Sequence, residues 1–219
     1  MYFIKSPYIL SKLTGKTVIW EMQKGKNRIF LTFDDGPIPE ITPDVLKILS
    51  DYNIKATFFC VGDNIRKHPD ILQQIIENGH SIGCHTFHHL NGWKTTKVEY
   101  IENVKKFEGY LQTNLFRPPY GKASPAQINL LKEKYFTILW SVLSGDFDTK
   151  ITGEQCLQNV IQNTVDGSIV VFHDSIKAKE RLMYALPRFI EHFLKLGYNF
   201  EAIKYEELML YNSSLKSDL

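Results

Sequence analysis

The stretch Arg28-Ile-Phe-Leu-Thr-Phe-Asp-Asp-Gly-Pro37 predicts a buried strand that ends at two adjacent carboxylates. Residues 29–33 are apolar or β-branched, which is typical of a buried strand, and Gly36-Pro37 then forces a turn. Neighbouring side chains on a strand point to opposite faces, but where the strand gives way to a loop Asp34 and Asp35 can turn toward one site. Two carboxylates this close repel each other unless a cation lies between them or one is protonated. The alternative is an ordinary solvated turn, because Asp-Gly and Gly-Pro are common turn dipeptides.

The composition of the chain excludes two classes of partner. The net charge is +2 and no basic run occurs, so we expect no nucleic-acid partner. No apolar stretch approaches the length of a membrane span, so we expect no membrane-spanning segment. Hydrophobic residues make up 43% of the 219 residues, which is enough for a sizeable core, and we expect residues 1–219 to form a single domain.

The start of the chain and the cysteines indicate the cellular compartment of the protein. Residues 1–16 have neither a continuous apolar segment nor a small-residue cleavage site, so we expect no secretory signal and a cytoplasmic protein. The three cysteines, Cys60, Cys84 and Cys156, are an odd and sparse set. They are therefore predicted to be reduced thiols of an intracellular protein and not a disulfide framework.

Predicted strands and helices alternate about seven times along the chain, without a linker or an internal repeat. Such alternation is typical of parallel strands joined by right-handed crossovers. The predicted strands cover residues 17–20, 29–33, 56–61, 80–84, 115–117, 136–142, 168–172 and 199–202. The predicted helices begin with a cap at Thr42, near Pro69, before Val98, at Ser124, at the capping box Thr152-Gly-Glu-Gln155 and near Glu180, and the last is expected to bend or restart at Pro187.

Several polar residues fall directly after predicted strands. They are Asp34, Asp35, His85, Arg117, Asp146 and His173. In a barrel of parallel strands these positions share one rim, and that rim is where active sites lie. A doubly wound open sheet is the alternative, but it would bring only some of them together at its switch point. We therefore favour an α/β barrel that is incomplete.

Two histidines suggest a metal site near the paired carboxylates. His85 and His89 are four residues apart, so on a helical turn they face the same way and can share one ion. A histidine pair on a surface helix is the simpler alternative, and His88 and His80 compete as ligands. With a carboxylate from either aspartate, the set becomes two imidazoles and one carboxylate, which catalytic zinc uses to lower the pKa of a bound water. The remaining aspartate is then free to be a general base.

Four motifs carry a resemblance to a known family. Thr32-Phe-Asp-Asp-Gly-Pro37, His85-Thr-Phe-His-His89, Arg117-Pro-Pro-Tyr-Gly121 and Val171-Phe-His173 are similar, in this order, to the first, second, third and fifth motifs of the polysaccharide deacetylase family. The family is also called the NodB homology domain or carbohydrate esterase family 4, and the resemblance covers residues 28–210. It implies a distorted, incomplete (β/α)7 barrel that removes acetyl groups from N-acetylated or O-acetylated sugars, with an acetylated carbohydrate as its partner.

The resemblance also implies roles for individual residues. Asp34 would be the base, with Asp35, His85 and His89 as metal ligands, while His88 falls at a variable position and is not a ligand. Arg117 would fix Asp34 and keep it ionised. The backbone N–H of Tyr120 would face the developing oxyanion. His173 would be the general acid that protonates the leaving group.

The fourth motif departs from the family pattern of Asp, two variable residues and Asp-Trp. The corresponding stretch is Leu143-Ser-Gly-Asp146-Phe147, so a leucine replaces the first aspartate and a phenylalanine replaces the tryptophan. The retained Asp146 matches the aspartate that orients the catalytic histidine in the family. Phe147 keeps an apolar wall for the substrate without the indole N–H. Asp148 lies beyond the motif, and we expect it to face solvent.

The leading hypothesis is a metal-dependent hydrolase that deacetylates N-acetylated amino sugars or glycans. Its cofactor would be one divalent transition metal, with zinc favoured and cobalt or nickel as alternatives, since the ligand set mixes nitrogen and oxygen. An O-acetyl sugar esterase on the same site is one alternative, and a non-catalytic glycan-binding barrel is another. The intact aspartate and histidine pairs count against the binder, because binding alone does not need a metal and a base together.

Overall fold

The computed structural model of the protein describes residues 2–7, Thr14 and residues 18–210. Within this part of the chain no helix has the length and apolar character required to cross a membrane. The predictions of no secretory signal and of a cytoplasmic location concern residues 1–16, most of which lie outside the described residues, and both stay predictions. The strand predicted from residue 17 is described from Val18 onward.

Parallel strands form one curled sheet, as the alternation of elements predicted. In the described residues the strands are β1 (Val18–Ile19), β2 (Arg28–Asp34), β3 (Thr57–Cys60), β4 (Ser81–Cys84), β5 (Leu115–Phe116), β6 (Phe136–Ile138), β7 (Val142–Leu143), β8 (Ile169–His173) and β9 (Asn199–Phe200). Their order is β1-β6-β5-β4-β3-β2-β8-β7, and β9 pairs with the start of β2. The sheet is an open, curled half-barrel with helices around it, which confirms the incomplete (β/α)7 barrel.

The strand predicted over residues 136–142 is instead two strands. β6 pairs with β1 and β5, whereas β7 pairs with β8 at the other end of the sheet. The linking residues change partner on the way: Leu139 donates to the carbonyl of Ile19 (2.7 Å), and Ser141 donates to that of Ile169 (3.1 Å). One straight strand cannot pair at both ends of the sheet, so the ladder breaks between β6 and β7.

The central strand β2 separates the two cores of the molecule. Ile29, Leu31 and Phe33 pack in the larger core on the helical side, while Phe30 packs in the smaller core inside the curled sheet. Because side chains alternate along a strand, the even-numbered side chains share the inner face of the sheet. Thr32 is therefore on the inner face, and Asp34 is at its end, beside His173 of β8 in the strand register.

Helices cover the outer side of the sheet. In the described residues they include α1 (Thr42–Asp51), α2 (Gly62–Lys67), α3 (Pro69–Glu77), α4 (Lys97–Glu108), α5 (Pro125–Leu131), α6 (Gly153–Asn163) and α7 (Lys179–Lys195). Residues 205–210 are also helical. The capping box predicted at the start of α6 is present, since Thr152 and Gln155 exchange hydrogen bonds between side chain and backbone.

Three features of the helices differ from the sequence-based expectations. Thr42 does not cap α1; its hydroxyl accepts from the Ile38 N–H (2.8 Å) and donates to Asp174 (2.6 Å). α2 is an additional helix, too short to show an apolar period because only Gly62 and Ile65 are buried. α7 runs through Pro187 without restarting, so the missing N–H there costs a hydrogen bond but does not end the helix, and the bend named as the other possibility stays a prediction.

The three cysteines are free thiols, as predicted. Cys60, Cys84 and Cys156 are all buried. Burial raises the pKa of each thiol above its usual value. None of them is therefore available as a reactive thiolate.

Candidate active site

A buried ion pair lies at the bottom of the site. Arg117 follows β5 and is fully buried, and its Nη1 donates to Asp34 Oδ1 (2.7 Å) and to Thr32 Oγ1 (2.8 Å). Its other donors reach the carbonyls of Ile138 (3.1 Å) and Leu139 (3.2 Å). Burial lowers the pKa of Arg117, but Asp34 supplies the opposite charge that a buried cation needs. The pair fixes one carboxylate oxygen of Asp34 and leaves Oδ2 toward His85, 4.0 Å from its Nε2.

Asp35, His85 and His89 come together as a candidate metal site. One ligand atom from each lies within 4.8 Å of the others, and no other such cluster of three occurs in the described part of the chain. Asp35 Oδ1 is 3.1 Å from His89 Nε2 and 3.9 Å from His85 Nε2. The predicted ligand set thus converges on one point between the ends of β2 and β4.

The imidazole of His85 is held in the form that a metal requires. Its Nδ1 lies 2.8 Å from the carbonyl oxygen of Arg117, and a carbonyl only accepts, so Nδ1 carries the proton. Burial lowers the pKa of His85 to about 4, so the ring is neutral at pH 7. The unprotonated Nε2 faces the two aspartates, and this partner on the far nitrogen is what metal-binding histidines typically have. The residues therefore fit a divalent transition metal.

Unusual backbone angles turn the ligands toward one another. Asp35 (φ +89°), Thr86 (φ +61°) and His89 (φ +55°) all lie in the left-handed region. The turn that carries the histidines is held by Asn103 of α4, whose side-chain oxygen accepts from two successive backbone N–H groups, at 2.8 and 3.0 Å. Non-glycine residues persist in such conformations only where the surroundings hold them.

The two competing histidines lie outside the cluster. His88 Nδ1 is 2.8 Å from the side-chain nitrogen of Asn103. His80 packs against Phe58, and its Nδ1 is 3.2 Å from the Ala56 N–H. Burial lowers the pKa of His80 to about 4, which keeps it neutral as a core residue. The alternatives that spacing left open are therefore not supported by the geometry.

His173 and Asp146 form a second pair on the other side of Asp34. Asp146 accepts from the His173 backbone N–H and lies against its Nδ1, both at 2.7 Å. Burial alone would lower the pKa of His173, but the charge of Asp146 and its hydrogen bond raise it to about 10. Arg181 holds the loop that carries Asp146, because its Nε donates to the Asp146 carbonyl (2.6 Å). His173 is therefore held protonated at neutral pH, with Nε2 as its free nitrogen.

Aromatic side chains flank these groups in a cavity of about 680 Å³. Phe147 packs edge-on against His173, with ring centroids 5.1 Å apart. Tyr120 packs edge-on against His89 (4.7 Å) and has a positive φ of 62°. Leu143, which replaces an aspartate of the family pattern, also lines the cavity. The assignment of the Tyr120 N–H as an oxyanion donor stays a prediction.

Asp148 departs from the expectation that it faces solvent. It is half-buried, and its carboxylate accepts from the hydroxyl of Tyr2 (3.0 Å). Through this bond the N-terminal segment, residues 2–7, is tied to the loop that carries Asp146 and Phe147. Tyr2 and Asp148 are 146 residues apart in the chain, so no local sequence pattern predicted their contact.

Two residues that hold the candidate site residues in place were not predicted from the sequence. Thr32 accepts from Arg117 and donates to the Val170 carbonyl (2.9 Å), and its place two residues before Asp34 on the same strand face could have indicated this. Asp174, directly after His173, accepts from the Gly36 N–H (3.0 Å) and from Thr42. Burial raises the pKa of Asp174 to about 8. An acidic residue next to a predicted catalytic histidine was the available signal.

Known proteins are similar to this chain in sequence and in fold. A family model described as polysaccharide deacetylase matches residues 21–139. A peptidoglycan-N-acetylglucosamine deacetylase of Bacillus cereus is 35% identical over 201 residues, which cover 89% of this chain and 93% of that protein. A chitooligosaccharide deacetylase of Azorhizobium caulinodans is 33% identical over 171 residues, covering 74% of this chain and 80% of that protein.

Solved structures agree with the sequence matches. The crystal structure of a peptidoglycan N-acetylglucosamine deacetylase in complex with 4-naphthalen-1-yl-N-oxidanyl-benzamide is similar with a TM-score of 0.83 at 30% identity. The similarity covers 90% of this chain and 95% of that chain. Together with the family model and the relatives, it shows that this chain belongs to the polysaccharide deacetylase family.

Proposed function

We propose that this protein is a metal-dependent hydrolase that removes acetyl groups from N-acetylated amino sugars or glycans. The observation that carries the proposal is that three candidate ligands, Asp35, His85 and His89, share one cavity with two groups able to move protons, Asp34 and His173. The relatives named as deacetylases of peptidoglycan N-acetylglucosamine and of chitooligosaccharides support this substrate class.

The ligand set fits one divalent transition metal, and we favour zinc, with cobalt or nickel as alternatives. Two neutral imidazole nitrogens and one carboxylate oxygen suit these ions better than magnesium or calcium, which prefer oxygen ligands. When bound, such a metal polarises a carbonyl oxygen and lowers the pKa of a bound water.

Asp34 is the base in this reaction. Its Oδ1 is held by Arg117, so Oδ2 is the oxygen that accepts the proton of the attacking water. The oxygen of that water forms a bond to the acetyl carbon. Arg117 holds the carboxylate in place for this step, and the backbone N–H of Tyr120 donates to the oxyanion that develops on the carbonyl oxygen.

His173 is the acid that completes the reaction. Because Nδ1 lies against Asp146, Nε2 is the nitrogen that donates its proton to the amine nitrogen of the sugar as the carbon–nitrogen bond breaks. The products are acetate and a free amine. Phe147 excludes water from one side of His173 and provides an apolar wall for the sugar.

Two alternatives use the same cavity. An O-acetyl esterase would release an alkoxide in place of an amine, and the same acid would protonate it. A non-catalytic glycan-binding barrel would need neither the buried Asp34–Arg117 pair nor the pairing of His173 with Asp146, so these two contacts favour the hydrolase.

Release of acetate from defined substrates tests the proposal. The purified protein, loaded with zinc, is incubated with N-acetylglucosamine oligomers and, separately, with an O-acetylated sugar. We expect acetate from the amide substrate, loss of release after chelation, and its return when zinc is added back. Release from the ester alone would favour the esterase. No release from either substrate, with the oligomers still bound, would favour the glycan-binding barrel.

A further inference from the structure

The N-terminal segment, residues 2–7, lies beside β7 at the mouth of the cavity. Leu143 donates to the Ile4 carbonyl (2.8 Å), and Ser6 donates to the Ser141 carbonyl (2.9 Å). Lys5 forms an antiparallel bridge with Val142. The segment thus extends the edge of the sheet at the strand that leads to Asp146, and backbone hydrogen bonds fix its position.

A row of rings connects this segment to the proposed acid. Phe147 packs against His173, and Tyr2 packs against Phe147 with centroids 5.0 Å apart. Tyr2 is held in this place by its hydroxyl, which donates to Asp148. Tyr2 is therefore one ring farther from the reacting centre than Phe147, along the same wall of the cavity.

The next residue completes an aromatic surface. Phe3 lines the same cavity and is 64% exposed, so its ring is accessible to a ligand in the cavity. Ser6 also lines the cavity at this wall. Binding sites typically combine apolar and aromatic surface with a few polar groups, and the carbon–hydrogen faces of sugar rings pack well on aromatic rings.

We propose that the N-terminal segment forms a subsite for a neighbouring unit of the glycan, in which Tyr2 and Phe3 pack against the sugar ring next to the acetylated one. The acetylated sugar contacts Phe147 beside His173, and the chain of the glycan continues over Tyr2 and Phe3. This inference rests on the proposed function, because the glycan that extends from the reacting sugar is the occupant of the subsite.

Variants of the two aromatic residues test the subsite against oligomers of increasing length. Tyr2→Ala and Phe3→Ala are compared with the unmodified protein on N-acetylglucosamine oligomers of one to four units. In both variants we expect KM for the longer oligomers to rise about tenfold more than KM for the single sugar. Tyr184→Ala is the matched control, since Tyr184 is also a partly exposed tyrosine that donates to a carboxylate, that of Glu154, but lies outside the cavity.

Binding without turnover separates this inference from the proposed function. Titration calorimetry with the tetramer is carried out on the same proteins with Asp34→Asn added to each, so that turnover is slow, and their zinc content and circular dichroism confirm that they are folded. Tetramer binding that weakens in Tyr2→Ala and Phe3→Ala supports the subsite even if no acetate is released, in which case the proposed function alone fails. Acetate release with equal KM at every length in all proteins overturns the subsite and leaves the function standing. Absence of tetramer binding by the unmodified protein also overturns it.

Discussion

Asp34 and Asp35 are neighbours in the chain, yet their surroundings separate their chemistry. Asp34 is buried, and one of its oxygens is held by Arg117. Asp35 is half-buried and reaches the two histidines after a backbone turn of positive φ. Burial would raise the pKa of Asp35, but the hydrogen bond from His89 and the charge of His173 lower it below its usual range. These surroundings suit the proposed roles, in which Asp34 moves a proton and Asp35 is an anionic ligand.

Replacing Asp34 with asparagine tests this separation of roles. Asp34→Asn keeps the shape and loses the ability to accept a proton, so we expect kcat to fall by about 10²–10⁴ while one zinc per chain is retained. Turnover and metal content by elemental analysis are the measurements. Asp35→Asn is the matched control and should lose both zinc and activity. Loss of zinc in Asp34→Asn with retention in Asp35→Asn would mean that the roles are reversed.

Asp146 is expected to set the pH range of the enzyme through His173. The folded-state pKa of His173, about 10, lies above the ordinary value for histidine, so the protonated acid is present at neutral pH and is lost as the pH rises through the folded pKa. In Asp146→Asn the main cause of this increase is removed while burial still lowers the pKa. The alkaline limb of the pH–kcat profile should therefore move to lower pH, and activity at pH 7 should fall.

The control for Asp146 must be an aspartate without contacts to the site. Asp148 is unsuitable because it holds Tyr2, so we choose Asp70→Asn, at an exposed position in the first turn of α3. Its pH profile should match that of the unmodified protein. An alkaline limb that stays in place in Asp146→Asn would show that His173 is not the acid or that another group holds its proton.

The turn after β2 is joined to the end of β8 and to the start of α1. Asp174 accepts from the Gly36 N–H and from the Thr42 hydroxyl, so one buried carboxylate links three elements behind the candidate ligand Asp35. Gly36 lies so close to this carboxylate that a Cβ at position 36 would overlap it. Position 36 therefore requires a glycine, because the Asp174 side chain leaves no room for a Cβ.

Gly36→Ala should therefore damage both stability and the metal site. Either Asp174 must move or the turn must shift, and we expect a loss of about 2 kcal/mol in the free energy of unfolding, with weaker zinc binding. Denaturant unfolding and zinc titration measure the two effects. Gly109→Ala is the control, since its added Cβ would meet only the Lys106 carbonyl at an ordinary 3.5 Å. Equal stability and zinc affinity in both variants would contradict this role for Gly36.

Short sequence patterns predicted helix ends and strands best where the hydrogen-bonding partner lies nearby in the sequence. The capping box at Thr152 and Gln155 lies within four residues and was predicted correctly. Thr42 has the same kind of side chain before a helix, but its hydroxyl is used by Asp174, 132 residues away, and this partner cannot be inferred from the neighbouring sequence. The break between β6 and β7 has the same cause, because pairing with the two ends of the sheet depends on the whole fold.

The curvature of the sheet brings the candidate site residues together. Asp34 ends β2 in the middle of the sheet and Asp35 follows it, the candidate histidine ligands follow β4 on one side, and His173 ends β8 on the other. The order of strands and polar ends made the shared rim predictable from sequence. The wall formed by residues 2–7 was not predictable, because its contacts with Phe147 and Asp148 join distant parts of the chain.

Binding of the proposed metal should also raise the stability of the whole fold. A ligand that binds only the folded state stabilises it by about 4 kcal/mol at a free concentration of 1,000 Kd, which for a chain of this size raises Tm by about 10 °C. We expect zinc to produce such a rise, measured by thermal unfolding with zinc and after chelation, because its ligands come from two separate loops of positive φ. His89→Ala should lose the rise, whereas His88→Ala, which changes the adjacent histidine outside the cluster, should keep it. A rise that survives in His89→Ala and disappears in His88→Ala would transfer the ligand role to His88, and an equal rise in both would place the stabilising zinc elsewhere on the protein.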